Sequence, residues 1–126
     1  MIGTNDVVQE FSVGEAPARL EPLINTIFQC CPSAKLGVAT IPPILDFFPA
    51  GDVPIGARLN IEAEKYNHRV RSLVQRLKGD QRDIFLGDAH PIFEPADLPD
   101  GIHPNRVGQD KLGEFWFQTI CEAYDL

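Results

Sequence analysis

Asp100 and His103 stand three residues apart in "DGIHPN", with Gly101 between them. That spacing lets a turn carry the carboxylate onto one imidazole nitrogen, which fixes the ring tautomer and leaves the other nitrogen free to take a proton. Such a pair is half of a nucleophilic triad. A second polar turn, "GTND", follows the short apolar stub Met1-Ile2. This pattern fits the end of a β-strand, where α/β enzymes keep polar groups. Taken alone, Asn5 reads as a turn residue after a strand and Asp6 as a cap, and Asp100-Gly101 as an ordinary turn dipeptide.

Other groups are weaker candidates. His90 in "DAHPIF" shares the last loop with Asp88, Asp100 and His103, and the four can be drawn as a metal set. Metal sites favour tighter His spacing on a rigid element, so no metal is expected, nor any cofactor. Cys30, Cys31 and Cys121 are odd in number and lack the spacing of a metal knuckle or redox motif, so they read as small buried hydrophobes. A disulfide from one of the pair to Cys121 stays open. A Cys-His hydrolase using Cys30 or Cys31 is a minor alternative, since both lie far from the loops that follow strands. His68, among Arg69 and Arg71, reads as a solvated surface residue, and Glu94 and Asp97 as part of a solvated acidic loop.

The elements that must position these residues are legible from periodicity. Leu20, Leu23, Ile24, Ile27 and Phe28 form one face of a helix over residues 15–31. "KLGVATI" (35–41) reads as a strand buried on both faces, and the Pro- and Gly-bearing stretch 44–56 as a surface loop. A long helix over 57–77 carries the stripe Leu59, Ala63, Tyr66, Val70, Leu73, Val74 and Leu77. "RDIFLGD" supplies a second strand. Asn105 can cap a last helix whose inner face would hold Leu112, Phe115, Trp116, Ile120 and Ala123. Alternation of this kind predicts βαβ units, a parallel sheet and one domain over 1–126.

Composition agrees and sets limits. The chain has 126 residues, 44% of them hydrophobic, and a net charge of −7. That acidity argues against nucleic acid and anionic membrane surfaces as partners. No apolar run reaches the ~18–20 residues of a membrane span, and no basic-then-apolar leader opens the sequence. The compartment is left open.

Read together, "GTND", "VATIPP", "YNHRVRSLV" and "DGIHPNRVGQDKLG" resemble the later sequence blocks of the SGNH hydrolases, the GDSL-type esterases and lipases. The resemblance implies an α/β fold of the flavodoxin-like three-layer α/β/α kind with a parallel sheet. It also implies a Ser-His-Asp mechanism in which His103 is the general base, Asp100 its orienter and Asn5 an oxyanion-hole donor. Small-molecule esters are the substrate class, with acetylated carbohydrate or another short-chain ester suggested by short loops and the lack of an apolar lid.

One departure stands out. The family's nucleophile sits in a Gly-Asp-Ser block ahead of G-x-N-D, and only Met1 and Ile2 lie there in this sequence. Gly-Asp occurs at Gly51, Gly79 and Gly87, followed by Val53, Gln81 and Ala89, and Ser12, Ser33 and Ser72 lie outside any strand-end turn. The expectation is an incomplete SGNH fold lacking its first strands and its Ser block, inactive on its own, with an open sheet edge that favours self-association. The alternative is a non-catalytic α/β interaction module or oligomer using that edge.

Overall fold

The computed structural model describes residues 3–11, 13–50 and 53–126. The Met1-Ile2 stub, Ser12 and the Gly51-Asp52 pair lie outside the described residues.

Helix α3 (Gly56–Gly79) organises the rest. Good helix formers dominate its 24 residues, and Arg76 and Lys78 in the last turn oppose the negative end of the helix dipole. All seven stripe residues, from Leu59 to Leu77, are buried as the periodicity predicts. Strands β1 (Leu36–Ala39) and β4 (Ile84–Gly87) flank α3 in sequence and pair in parallel, with Leu36 opposite Ile84 and Ala39 opposite Gly87. This is the expected βαβ unit.

Alternation along the strands assigns the faces. Val38 and Ile84 are buried in the core with α2 (Ala16–Cys30) and α3, and Leu36 and Leu86 pack against the same cluster. The opposite face presents Gly37, Phe85 and Gly87 towards α4 (Arg106–Tyr124), whose Trp116 ring lies so close to Gly87 that a Cβ there would fall 2.5 Å from it. Helices thus flank both faces of a two-stranded parallel sheet, a partial α/β/α arrangement. Asn105 caps α4 as expected, its Oδ1 accepting from Gly108 N–H at 3.0 Å.

Four expectations need correction. The strands are not buried evenly on both faces: on the α4 side Gly87 is buried and Phe85 half-buried but Gly37 is exposed, because α4 covers β4 better than β1. The α4 face is accordingly thin: Leu112, Phe115, Trp116 and Ala123 are half-buried and Ile120 is exposed. The stretch 44–56 is more than a surface loop, since it contains the short antiparallel pair β2 (Pro49–Ala50) and β3 (Val53–Pro54) and sends Ile44 into the core. Cys30 and Cys31 are free and exposed, because the buried stripe of α2 is Ile24 and Phe28, and the cysteines lie beyond it at the helix end. The "GTND" segment is itself the start of a short helix, α1 (Thr4–Val8), with Gly3 as its N-cap. Among the described residues no helix is long and apolar enough to cross a membrane.

Candidate active site

The loops that follow β1 and β4 leave the same end of the sheet, the carboxyl end, where open α/β sheets bind ligands. The loop after β4 carries Asp100 and His103, and it folds as the spacing predicts. Asp100 Oδ2 lies 2.6 Å from His103 Nδ1. An ionised carboxylate only accepts, so Nδ1 carries the hydrogen and the neutral ring keeps its lone pair on Nε2. Asp100 Oδ1 in turn accepts the backbone N–H groups of His103 (2.7 Å) and Ile102 (3.0 Å).

These bonds set the charge of the pair. The His103 backbone N–H, then the His103 ring and the Ile102 N–H, outweigh burial and hold the Asp100 pKa at about 2. Asp100 is therefore ionised at neutral pH and orients the imidazole without competing for its proton. The His103 side chain is 75% exposed, and Nε2 has no partner among the described residues. It is available to a reacting group. Gly101 makes the turn feasible: its φ is +93°, and a Cβ would fall 2.8 Å from that of Phe48. Its carbonyl accepts from Leu45 N–H at 2.9 Å, tying the turn to the loop after β1.

Asn5 sits on a different element. Gly3, with φ +109°, starts α1 against the ring of Tyr66, where a Cβ would be 2.5 Å away. Val7 is fully buried and Asp6 pairs with Arg19 at 2.5 Å, so the turn is docked onto α3 and α2. Asn5 itself is exposed, and its side-chain amide makes no hydrogen bond among the described residues. No hydrogen bond joins it to Asp100 or His103. The structure thus brings the Asp-His pair together and leaves Asn5 in the first turn of α1, a separately anchored element.

Asp88 and His90, weighed as metal ligands beside the dyad, have other partners. Arg71 holds Asp88 through two bonds of 2.9 Å, and Thr40 Oγ–H donates to the same carboxylate at 2.9 Å. Burial acts to raise the Asp88 pKa, but Arg71 and Thr40 outweigh it and hold it below the usual carboxylate range. His90 Nε2–H donates to Glu64 at 2.6 Å, and Nδ1 lies 3.0 Å from the Asn67 amide nitrogen. Among the described residues no three His, Cys, Asp or Glu side chains converge as a metal set would. His68 is exposed, as its surroundings predict.

Two groups escaped the sequence reading. Asn67 is fully buried and grips the end of β1, with Oδ1 accepting Ile41 N–H at 2.8 Å and Nδ2–H donating to Ile41 C=O at 2.9 Å. Its position on the apolar stripe, between Ala63 and Val70, was the available signal. Asp97, read as solvated, is 3% exposed and bonded to Lys111 at 2.8 Å. A Glu-x-x-Asp spacing at Glu94, which forms a reciprocal cap around a 3-10 turn, was the cue there.

Of the described serines, Ser72 Oγ–H donates to His68 C=O within α3, and Ser33 is exposed before β1, at the amino end of the sheet. Cys30 and Cys31 share that end, opposite the dyad.

Comparison with known proteins supplies the context for this geometry. A family model described as GDSL-like lipase/acylhydrolase matches residues 1–116. A multidomain esterase of Ruminococcus flavefaciens is 30% identical over 125 residues, which cover 98% of this chain and 15% of that protein. The chain therefore spans a small part of that relative's length. No solved structure matches.

Proposed function

Given that the chain belongs to the GDSL-like lipase/acylhydrolase family, we propose that it carries the base half of a serine ester hydrolase site. His103 is the general base, Asp100 its orienter and Asn5 an oxyanion donor. The observation that carries this reading is the 2.6 Å Asp100–His103 bond, with Nε2 exposed at the carboxyl end of the sheet.

In this mechanism His103 Nε2 takes the proton of a serine hydroxyl as the oxygen attacks the ester carbonyl. The imidazolium then returns that proton to the departing alkoxide, and in the second half a water replaces the alcohol. Asp100 stabilises the imidazolium without taking its proton. The unpaired Asn5 amide suits the negative charge that develops on the carbonyl oxygen. The 126 residues contain no Gly-Asp-Ser, so this reading needs a serine supplied to the dyad, and the chain alone is expected to be inactive. The exposed dyad favours short acyl groups, such as the acetyl esters of carbohydrates, over long chains that need an apolar tunnel.

The test is turnover of an aryl acetate and of a peracetylated sugar, by the chain alone and by the chain fused behind a Gly-Asp-Ser strand-helix segment. Turnover should require the segment and fall by about 10³-fold or more in His103→Ala. Turnover by the chain alone that vanishes in His103→Ala would place the nucleophile within these residues. Reconstituted turnover indifferent to His103 would remove the assignment altogether.

A specific observation favours a second role, self-association. The outer edge of β1 has no strand partner among the described residues, and apolar grooves flank it on both sides. One, of about 200 Å³, is lined by Leu20, Leu23, Ile27 and Tyr66; the other, of about 500 Å³, by Phe85, Trp116 and Ile120. Both include Gly37. An unpaired edge with apolar flanks is a template for strand addition.

A further inference from the structure

The Asp-His pair is held by short-range bonds inside one exposed loop, which leaves open what fixes the loop itself. Asp97 begins it and Asn105 ends it. The two are joined directly, with Asn105 N–H donating to Asp97 C=O at 2.8 Å. Beside that bond Asn105 Nδ2–H donates to Ala96 C=O at 2.8 Å. Within the loop Gly101 N–H donates to Leu98 C=O at 2.9 Å, and Leu98 is fully buried. Residues 97–105 thus form a loop closed at its base, with the dyad at its tip.

The base is built around a buried charge. The Asp97 side chain is 4% exposed, and its Oδ2 accepts Glu94 N–H at 2.8 Å and Lys111 Nζ–H at 2.8 Å. Lys111 lies on α4, six residues beyond the Asn105 cap, and also approaches Glu94 at 3.4 Å. Gly108 lets the helix come this near: a Cβ there would stand 2.9 Å from Pro104, 3.1 Å from the Asp97 Cβ and 3.2 Å from its carbonyl oxygen. The ammonium of Lys111 and the Glu94 N–H hold the Asp97 pKa below the usual carboxylate range, so the pair stays charged.

We propose that Asp97 and Lys111 are positioning residues that clamp both ends of the 97–105 loop to α4 and so set the direction in which His103 presents Nε2. The clamp deepens the hydrolase reading given above and rests on it for its purpose. Neither side chain touches the dyad. Their effect runs through the backbone: Asp97 fixes where the loop leaves, Asn105 and Gly108 where it returns, and Lys111 locks Asp97 to the helix. A buried carboxylate without its cation is costly, so removing either partner releases the base of the loop rather than a surface contact.

The experiment needs no ester turnover, so its failure is separable from failure of the hydrolase reading. The Asp100 carboxyl carbon is titrated by NMR in the wild type, Lys111→Met and Lys111→Arg, alongside amide exchange across the chain. At pH 3 the wild-type Asp100 should still be mostly ionised. In Lys111→Met its midpoint should rise towards the usual ~3.8, because the His103 and Ile102 N–H groups no longer stay aligned on it. Exchange at His103 and Asn105 should quicken about tenfold or more, with Val38 and Leu86 in the strands unchanged, and Lys111→Arg should restore both. An unshifted Asp100 in folded Lys111→Met overturns the proposal, and so does exchange that quickens uniformly, since a purely structural pair would act on the whole fold. If Lys111→Met does not fold, wild-type exchange decides: His103 and Asn105 must open together and separately from Val38, and independent opening of the two overturns the clamp.

Discussion

The dyad loop and the outer side of β1 are both exposed, yet they are built on opposite principles. In the loop nearly every polar group is paired: Asp100 accepts three bonds, Asp97 is closed by Lys111 and Glu94, and Asn105 bonds in two directions. Along β1 the surface is apolar and uncovered, with Leu23, Ile120 and Tyr124 exposed around a strand that has one partner. The contrast teaches that a site can be locally complete within a sheet that is not. Geometry at the dyad depends on bonds made inside the loop and to α4 and residue 45, not on what lies beyond β1.

The largest effect is expected at Asn67, the buried polar residue that holds the chain just beyond β1 and reaches His90 in the loop after β4. Asn67→Ala leaves the Ile41 N–H unpaired in the core, removes one partner of the Ile41 C=O and should lower unfolding free energy by about 2–5 kcal/mol. A denaturant melt that moves by less than 1 kcal/mol would mean water replaces the amide without loss. Next in size is Gly101→Ala, which forces a Cβ into Phe48 at a positive φ. It should cost about 1–3 kcal/mol and weaken the low-field Nδ1–H resonance of His103. An unaltered resonance would separate the glycine from the dyad.

Acid titration gives a smaller, sharper test. The Asp100 pKa is about 2 in the folded chain and near 3.8 when unfolded, so its contribution to stability is present above about pH 4 and is lost as pH falls through 2. The stability difference between the wild type and Asp100→Asn should therefore shrink steadily between pH 5 and pH 2. A difference that is constant over that range would refute the bonds described at the carboxylate. Smallest of all should be Leu23→Ser or Ile120→Ser. Both residues are 42% exposed, so monomer stability should change by no more than about 0.5 kcal/mol while any concentration-dependent association weakens in sedimentation. A large loss of monomer stability would show the β1 flank to be core after all.

What was legible in the sequence follows the same division. Periodicity located α2, α3 and α4, and short apolar runs located the parallel strands β1 and β4, because burial of one helix stripe or strand leaves a local signal; the α3 stripe from Leu59 to Leu77 is the clearest case. The Asp100–His103 pair was visible because three-residue spacing across a glycine is a local geometry. Burial was misjudged where it depends on what covers a residue: Cys30 and Cys31 are exposed, and the inner face of α4 is only partly covered. Asp97 was missed for the converse reason. Its composition is that of a solvated loop, and only the approach of α4 at Gly108 and the contact with Lys111, fourteen residues further along the chain, bury it.

The parallel register of β1 and β4 has a consequence for how the chain reaches this structure. Leu36 and Ile84 are partners across an intervening helix of 24 residues, so neither strand gains a neighbour until that helix has formed and folded back. Closure over such a span is entropically slow, whereas the bonds that close the base of the 97–105 loop, Asn105 to Asp97 and Lys111 to Asp97, connect residues eight and fourteen apart. The order of events should be α3 first, strand pairing as the rate-limiting step, and the loop closing rapidly once α4 docks. Mutations in the stripe of α3 should then slow refolding, and mutations at Asp97 or Lys111 should chiefly hasten unfolding.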